Sequence, residues 1–264
     1  MAIEKELLSS LNKAIDVMDA YNDRDAFLSL DALSSITGFP KPTVFRIVQT
    51  FVSRGWMVQN PRSKKYGISF GMMKYARIAT NDSNLIAAAE PHMIHIRNEL
   101  NESVVLSVLD QSGYHVCIKV INNNQFVQFA HQVGKRMPLY AGGTGRCMLA
   151  FCSRKYREHY LDNTEFKKLA SGTITDRKEI DRLINDVICK GYCISRNEVN
   201  ENTESLSVPI LSRDGELVAC MNIASLIKSG NEEYYEKAIP MLKEAALKIR
   251  DSFYSDSACL NTAE

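Results

Sequence analysis

One segment, Ser29 to Ile68, constrains the fold of this 264-residue chain more than any other. Its pattern predicts a short helix, a turn at Gly38, a second helix that ends at Gly55, and a hairpin of two short strands. Apolar residues of the second helix recur at the spacing of one helical face. They are Val44, Ile47, Val48, Phe51 and Val52. Two helices, a tight turn and a hairpin in this order predict a winged helix-turn-helix, a fold that binds DNA.

The opposite face of the second helix carries side chains that suit phosphates and base edges. The candidate DNA-binding residues on this helix and at the hairpin tip are Lys41, Thr43, Phe45, Arg46, Gln49, Lys64 and Lys65. Among them, Arg46 suits a guanine edge, Gln49 an adenine edge and Phe45 a thymine methyl group. We expect the other four to contact mostly phosphates. A phosphate clamp or a plain surface residue is the alternative role for Arg46.

The charge pattern supports a nucleic-acid partner for this segment. Residues 32–81 contain eight basic residues and no acidic one, a net charge of +8. Residues 1–31 have three basic and seven acidic residues, and residues 82–264 have 21 basic and 24 acidic residues, so the whole chain carries only +1. Positive charge confined to one predicted element is the electrostatic pattern of a DNA-binding domain. A basic face that contacts only water is the alternative.

Length and composition bound the class of the protein. At 264 residues, with 45% apolar residues, we expect two globular domains with separate cores. The sequence opens on no leader-like segment, and no stretch approaches the roughly 18 apolar residues of a membrane span. We therefore expect a soluble, cytoplasmic protein.

The seven cysteines lack the spacing of a disulfide framework or a metal site. Most lie in apolar runs, where a free thiol behaves as a small hydrophobic side chain. Cys189 and Cys193, four positions apart, could hold a metal ion together with His131. Reduced core cysteines are the favoured interpretation. We expect no metal ion and no cofactor.

After residue 69 the pattern becomes that of an α+β domain. An apolar and basic stretch over 70–80 predicts a helix that connects the two domains. Further helices are predicted over 85–100, with Pro91 near the first turns, and over 147–151, 156–161, 178–190 and 232–254. Strands are predicted over 104–109, 116–120, 126–130, 206–211 and 217–225. The expected division is 1–68, a linker over 69–84, 85–254, and a disordered tail over 255–264.

The last predicted strand contains a candidate ligand-binding position. Successive side chains of a strand point to opposite faces, and over 217–224 every residue is apolar apart from Asn222. Burial of both faces would leave the Asn222 amide in need of a hydrogen-bond partner. A ligand and a neighbouring main-chain group are both candidates.

Three stretches carry a resemblance to a known family. They are LSLDALSSITGFPKPTVFRIVQTFVSRGWM, VGKRMPLYAGGTGRCMLAF and KGYCISRNEVNENTESLSVPILSRDGELVACMNIAS. In this order, and over about residues 8–252, the chain resembles the IclR family of bacterial transcriptional regulators. The resemblance implies an N-terminal winged helix-turn-helix, a linker helix and a GAF-like α/β effector-binding domain. It also implies operator DNA as a partner, a homodimer or a dimer of dimers, and a small organic, aromatic or sugar-derived acid as effector.

The resemblance places an effector pocket on specific positions of this sequence. The family's pocket positions fall on Phe126, Phe129, Met137, Gly143, Thr144, Ser195, Ser205, Asn222 and Ala224. At Gly143 and Thr144, main-chain N–H groups at the start of a helix could hold a carboxylate. A tight turn into a helix is the other interpretation of that glycine run.

Four positions depart from the family pattern. Ser195 replaces an acidic residue, Asn202 a glycine and Glu204 a basic residue, and Pro42 stands where the family has a serine at the start of the recognition helix. These departures fall on both predicted binding surfaces.

Two other functional classes are compatible with parts of the sequence. An enzyme would need Cys117 or Cys147 as nucleophile and His131 as base, but the sequence has no nucleophile elbow and no paired-carboxylate motif. A sensor that acts only through protein partners would leave the acid-free basic segment unexplained. The favoured hypothesis is a transcription factor, not an enzyme, whose DNA binding a small molecule controls.

Overall fold

The helix-turn-helix segment lies in the first of two compact units, Met1–Asp82 and Ser83–Glu264. The structure, a computed structural model, describes residues 8–22, 25–81, 84–110, 112–123, 132–227 and 232–260. Within these ranges, no helix is both long and apolar enough to cross a membrane.

The first unit contains helices and a two-stranded wing. Its elements are α1 (Ser9–Asp19), α2 (Leu30–Thr37), α3 (Lys41–Ser53), β1 (Met57–Gln59), β2 (Tyr66–Ile68), a 3-10 turn (Phe70–Met72) and α4 (Met73–Asn81). The Ser29 hydroxyl caps α2 by accepting the Ala32 N–H at 3.1 Å. Gly38 ends α2 with φ 72°, a left-handed conformation that suits glycine. Pro42 lies in the first turn of α3, where its missing N–H leaves no hydrogen bond unmade.

The predicted apolar face of α3 is the core of this unit. Val44 and Val48 are fully buried against Val17 of α1 and Leu33 of α2. Tyr66 of β2 joins the same core, and its main chain exchanges hydrogen bonds with Leu28 at 2.8 and 2.9 Å. The wing is therefore fixed to the chain that enters α2.

The connecting helix α4 contacts the end of the recognition helix α3 through aromatic rings. Tyr75 of α4 meets Trp56 edge to face, with ring centroids 5.2 Å apart. Trp56 in turn stacks on Phe51 of α3 at 5.7 Å. Three aromatic side chains thus join α4 to α3.

The second unit is an antiparallel sheet with helices on both faces. Its helices are α5 (Asn84–Leu100), α6 (Gly142–Phe151), α7 (Arg154–Asn163), α8 (Arg177–Lys190) and α9 (Glu232–Leu260). Its strands are β3 (Ser103–Leu109), β4 (Tyr114–Ile121), β5 (Arg136–Pro138), β6 (Cys193–Arg196), β7 (Thr203–Leu211) and β8 (Leu217–Leu226). They are ordered β5-β4-β3-β8-β7-β6. Helices α5 and α9 cover one face, and α6, backed by α8, packs on the other. The predicted fold class is confirmed.

Several boundaries in this unit differ from the predictions. The segments 136–138 and 193–196, for which no strand was predicted, form edge strands, which are too short to show an alternating pattern. Helix α5 begins at Asn84, so Pro91 lies inside it, where the missing N–H removes one hydrogen bond of the helix. Helix α9 runs to Leu260, well into the tail predicted to be disordered. The strand predicted over 126–130 lies outside the described residues.

The prediction that a helix starts only at Cys147 is wrong. Helix α6 starts at Gly142, and all residues from Gly142 to Ala150 are buried. Tertiary packing offsets the low helix propensity of its three glycines. A Cβ at Gly143 would lie 2.6 Å from the Ser205 hydroxyl and 2.9 Å from that of Ser207, so these side chains would have to shift to make room for it. The start of α6 thus lies directly against β7.

Candidate functional site

The exposed face of α3 presents the residues predicted to read base edges. Phe45 is 45% exposed, although aromatic side chains are normally buried, and Arg46 is exposed beside it. The exposed Gln49 donates from Nε2 to the Tyr66 hydroxyl at 3.3 Å, which holds its amide near the wing. An exposed aromatic side chain beside Arg and Gln on one helical face provides the groups that contact bases in a major groove.

The remaining predicted DNA-binding residues surround this face. Thr43 is half-buried, and Lys41 forms an ion pair with Asp31 of α2. Both partners of that pair are more than half exposed, so water weakens it and a phosphate can replace the carboxylate. Lys64 and Lys65 are exposed at the wing tip, where neither forms an ion pair with a described residue. Basic groups therefore lie on both α3 and the wing.

A cavity of about 380 Å³ opens in the second unit between the sheet and the start of α6. It brings together seven of the nine predicted effector-binding residues, namely Met137, Gly143, Thr144, Ser195, Ser205, Asn222 and Ala224. Phe126 and Phe129 lie in 124–131, outside the described residues. The register of the sheet explains the convergence, because Ser205 pairs with Ser195 of β6 on one side and with Ala224 of β8 on the other. Side chains far apart in sequence thus line one wall.

Fourteen described residues of the cavity wall are absent from the sequence-based prediction. They are Val105, Ser107, His115, Cys117, Gln132, Lys135, Ala141, Gly142, Glu198, Val199, Asn200, Glu201, Thr203 and Glu204. For Ser107 a signal exists in the alternation of β3, which places Val105 and Ser107 on the face opposite the apolar Val104 and Leu106. For the segment 198–202 no periodic signal exists, because it forms a turn that leads into β7 at Thr203.

The main-chain N–H groups at the start of α6 already donate hydrogen bonds to side chains of the protein. The Gly143 N–H donates to the Ser195 hydroxyl at 2.8 Å, and the Gly142 N–H donates to Glu198 Oε2 at 3.0 Å. Ser195 also exchanges a hydrogen bond with Ser205 at 3.1 Å. A ligand carboxylate at the Gly143 amide would have to displace the Ser195 hydroxyl.

A buried ion pair holds the loop between β6 and β7, which lines the cavity, against α6. The Arg146 guanidinium donates to Glu198 Oε2, and the two side chains are only 3% and 6% exposed. Burial by itself lowers the pKa of Arg146, but its surroundings, including the paired Glu198 carboxylate, outweigh this and hold that pKa above its usual value. Glu198 lies in this loop, and its carboxylate accepts hydrogen bonds from both Gly142 and Arg146 of α6. One side chain therefore fixes the loop to the helix.

The loop between β6 and β7 contains two asparagines in the left-handed backbone region. Asn197 and Asn202 have φ values of 55° and 58°, and the Asn202 N–H donates to Asn197 Oδ1 at 2.7 Å. Asparagine tolerates the left-handed region better than most residues. Asn202 therefore adopts a conformation that suits the glycine of the family pattern.

We predict that Asn202→Val destabilises the protein by about 1–2 kcal/mol, because a β-branched side chain is strained at this φ. Asn202→Gly keeps the conformation and should change stability by less than about 0.5 kcal/mol. Urea unfolding followed by circular dichroism distinguishes the two variants. If the Val and Gly variants were equally stable, the positive φ at position 202 would not strain a β-branched side chain.

The cysteines proposed for catalysis are poorly suited to it. Burial raises the pKa of Cys117 to about 11, and burial also raises that of the fully buried Cys147. Both thiols are therefore protonated at neutral pH, and a protonated thiol is a weak nucleophile. The proposed base, His131, lies outside the described residues. Within the described ranges, no group of three His, Cys, Asp or Glu side chains could hold a metal ion.

Two family models match the chain. Residues 10–61 match the IclR helix-turn-helix domain, and residues 78–251 match the C-terminal domain of the bacterial transcriptional regulator IclR. The HTH-type transcriptional regulator KipR of Bacillus subtilis is 28% identical over 84% of this chain and 88% of its own length. The regulator KdgR of Escherichia coli is 26% identical over 93% of both chains.

Solved structures share the fold over nearly the whole chain. The IclR transcriptional regulator from Alicyclobacillus acidocaldarius superposes with a TM-score of 0.82, covering 94% of this chain and 99% of its own, at 21% identity. An IclR homologue from Microbacterium hydrocarbonoxydans, in complex with 4-hydroxybenzoate, has a TM-score of 0.79 over 94% of this chain and 100% of its own, also at 21% identity.

Proposed function

Because the chain belongs to the IclR family of bacterial transcriptional regulators, which are not enzymes, we propose that its cavity ligand controls its binding to one operator. The chain is a DNA-binding regulator with a C-terminal ligand-binding domain. In the proposal, Arg46, Gln49 and Phe45 read bases, and Lys41, Thr43, Lys64 and Lys65 contact phosphates. A regulator of this kind acts in the cytoplasm, where the chromosome is.

The exposed face of α3 is the observation that carries this proposal. Helix α3 buries only Val44 and Val48 completely and leaves a polar, basic and aromatic face outward. The absence of acidic residues over 32–81 removes the repulsion that a phosphate backbone would otherwise meet. A gel shift with the DNA upstream of the chain's own gene tests the proposal, since a sensor that acts only through protein partners would not bind it.

The effector is proposed to bind in the cavity next to Ser195, Ser205 and Asn222. A carboxylate is the group that the family resemblance implies, and the 4-hydroxybenzoate complex of a homologue supports an acid. Lys135 lines the cavity and forms no ion pair with any described residue, so its ammonium can pair with an acid at that edge. The predicted contacts of Phe126 and Phe129 with the effector remain part of the proposal.

Ligand control requires that the ligand bind the DNA-competent and DNA-incompetent arrangements unequally. We place the coupling in α4, because Tyr75 contacts Trp56 and Trp56 stacks on Phe51 of the recognition helix. In this proposal, these ring contacts carry a change in α4 to α3.

We predict that Tyr75→Ala brings the operator affinities with and without effector closer together, because it removes the ring contact between α4 and Trp56. Fluorescence anisotropy with labelled operator measures both affinities. Tyr114→Ala, at an exposed tyrosine of the second unit, is the matched control and should leave the ratio unchanged. An unchanged ratio in the Tyr75 variant would place the coupling elsewhere.

We also propose that the chain is a homodimer or a dimer of dimers. The first unit exposes apolar side chains just before α1 and where the chain enters the connecting helix α4, namely Leu8 at 70%, Phe70 at 88% and Met73 at 65% exposure. A contiguous exposed apolar surface marks a protein–protein contact, and we propose that these side chains form one. A second copy is the fitting partner, because helix-turn-helix proteins bind two half-sites as dimers.

We predict that Phe70→Glu shifts the protein from dimer to monomer in sedimentation velocity at micromolar concentration, because a buried, unpaired carboxylate disfavours the contact. Leu169→Glu, at a residue that is 44% exposed in the second unit, is the control and should not alter the mass. A Phe70→Glu protein that stays dimeric would rule out this surface as the dimer contact.

A further inference from the structure

One side chain on the exposed face of α3 is held in place by the wing. Gln49 lies three positions after Arg46 and four after Phe45, so the three side chains share one face of the helix. The amide nitrogen of Gln49 donates to the hydroxyl of Tyr66 in β2 at 3.3 Å. We propose that Tyr66 determines specificity by positioning the Gln49 amide to read adenine. The inference rests on the proposed function and names the residue that sets the base read by Gln49.

Tyr66 is held firmly enough to position another side chain. Only 3% of the residue is exposed, and its ring belongs to the core of the first unit. Its main chain pairs with Gln59 of β1 and exchanges two hydrogen bonds with Leu28, at 2.8 and 2.9 Å. The Tyr21 hydroxyl donates to the Tyr66 carbonyl at 3.0 Å. The phenol hydroxyl of Tyr66 therefore has a fixed position beside α3.

The contact leaves Gln49 with one particular set of hydrogen-bonding groups. Among the described residues, Gln49 is the only hydrogen-bond partner of the Tyr66 hydroxyl, and Tyr66 is the only partner of the Gln49 amide group. An amide group has two N–H donors and one carbonyl acceptor. Because Tyr66 takes one donor, one N–H and Oε1 remain for DNA.

This remaining set matches adenine. In the major groove adenine presents N7 as an acceptor and its N6 amino group as a donor, so it pairs with one N–H and one carbonyl of an amide. A reversed amide, with Oε1 towards the Tyr66 hydroxyl, would present two N–H donors, and guanine has the two acceptors that suit them. The observed direction of the hydrogen bond therefore favours adenine over guanine.

The same contact restrains Gln49 before DNA binds. A glutamine side chain loses conformational entropy when it is fixed, and a side chain that is already fixed loses less on binding. A tyrosine that only stabilised the wing would change the stability of the first unit but not the preference for one base. Base preference is therefore the property that tests the inference.

The test is the selection of binding sites from a library of random duplexes by the full-length protein and its variants. Gln49→Ala should abolish the base preference at one position of each half-site, which identifies the position that Gln49 reads. We expect adenine there in the wild-type selection. Tyr66→Phe keeps the buried ring and removes only the hydroxyl. It should lower the preference for adenine at that position on the order of 3–10-fold, the effect of one hydrogen bond, and leave the other positions unchanged.

Two further variants are the controls. Tyr21→Phe removes the hydroxyl that donates to the Tyr66 carbonyl, so it alters the support of the wing without touching Gln49, and it should leave base preference unchanged. The double variant Gln49→Ala, Tyr66→Phe should have the preferences of Gln49→Ala alone, because the tyrosine acts through the glutamine. Urea unfolding followed by Trp56 fluorescence shows that the first unit of each variant is folded.

Three outcomes would overturn the inference and leave the proposed function standing. They are an unchanged preference in Tyr66→Phe at the position read by Gln49, the same change in Tyr21→Phe, or guanine at that position in the wild-type selection. If Gln49→Ala changed no position, the base-reading role of Gln49 would fall together with the inference. If the wild-type protein selected no sequence at all, the proposed function itself would fall.

Discussion

Arg146→Met should destabilise the second unit by about 3–5 kcal/mol, because removal of one partner leaves the other charge buried and unpaired. Both side chains of the Arg146–Glu198 pair are almost fully buried. Methionine keeps much of the volume of the arginine stem, so the effect arises from the charge and not from a cavity. The Gly142 N–H would remain the only described donor to the Glu198 carboxylate.

The two units can be followed separately in one experiment. The chain has a single tryptophan, Trp56, which lies in the first unit, so its fluorescence reports unfolding of that unit. Circular dichroism reports both units. In urea, Arg146→Met should shift the dichroism transition and leave the fluorescence transition in place.

Two further variants separate charge from packing. In the double variant Arg146→Met, Glu198→Gln, stability should largely return, because the neutral amide still accepts the Gly142 N–H. Arg154→Met removes an arginine from an exposed ion pair with Glu158 and should leave the transition where it is. If the Arg146→Met variant were as stable as the Arg154→Met variant, the buried ion pair would contribute nothing to the stability of the second unit.

Arg46→Ala should lower the preference for operator over other DNA by about 1–3 kcal/mol, or roughly 5–150-fold in affinity ratio. The reason is that the guanidinium can donate two hydrogen bonds to a guanine edge, which alanine cannot. Lys64→Ala should instead weaken binding to all duplexes alike and reduce the slope of log affinity against log salt by about one.

The measurement is competition anisotropy with operator and scrambled duplexes at several salt concentrations. Lys64→Ala is the matched control for the loss of one positive charge. If Arg46→Ala lost affinity equally for operator and scrambled DNA, Arg46 would be a phosphate contact and not a base reader.

The helix-turn-helix was predictable because its signals are local. The Ser29 cap, the left-handed Gly38 and the apolar spacing of α3 each lie within a few residues of the feature they determine. The start of α6 was not predictable from local sequence, since its glycine-rich first turn has low helix propensity. Only the contact with β7 makes this turn helical. Local sequence does not contain that contact.

The cavity was predictable only in part. Family resemblance identified Ser195, Ser205 and Asn222, and the structure places all three in one wall. The Arg146–Glu198 pair joins residues 52 positions apart, and neither residue stands in a pattern that indicates burial. Its prediction would have required the register of β6 and β7 against α6, which the sequence alone does not contain.

The central claim is sequence-specific DNA binding under the control of a ligand, and a binding titration tests it most directly. The full-length protein is titrated with a duplex from the DNA upstream of its own gene and with a scrambled duplex of the same composition, with and without a small acid that binds the cavity. We expect the first duplex to bind at least about 1,000-fold tighter, and the ligand to change that affinity while leaving binding to the scrambled duplex unaltered. Equal affinity for both duplexes, or an operator affinity that no cavity ligand changes, would contradict the account.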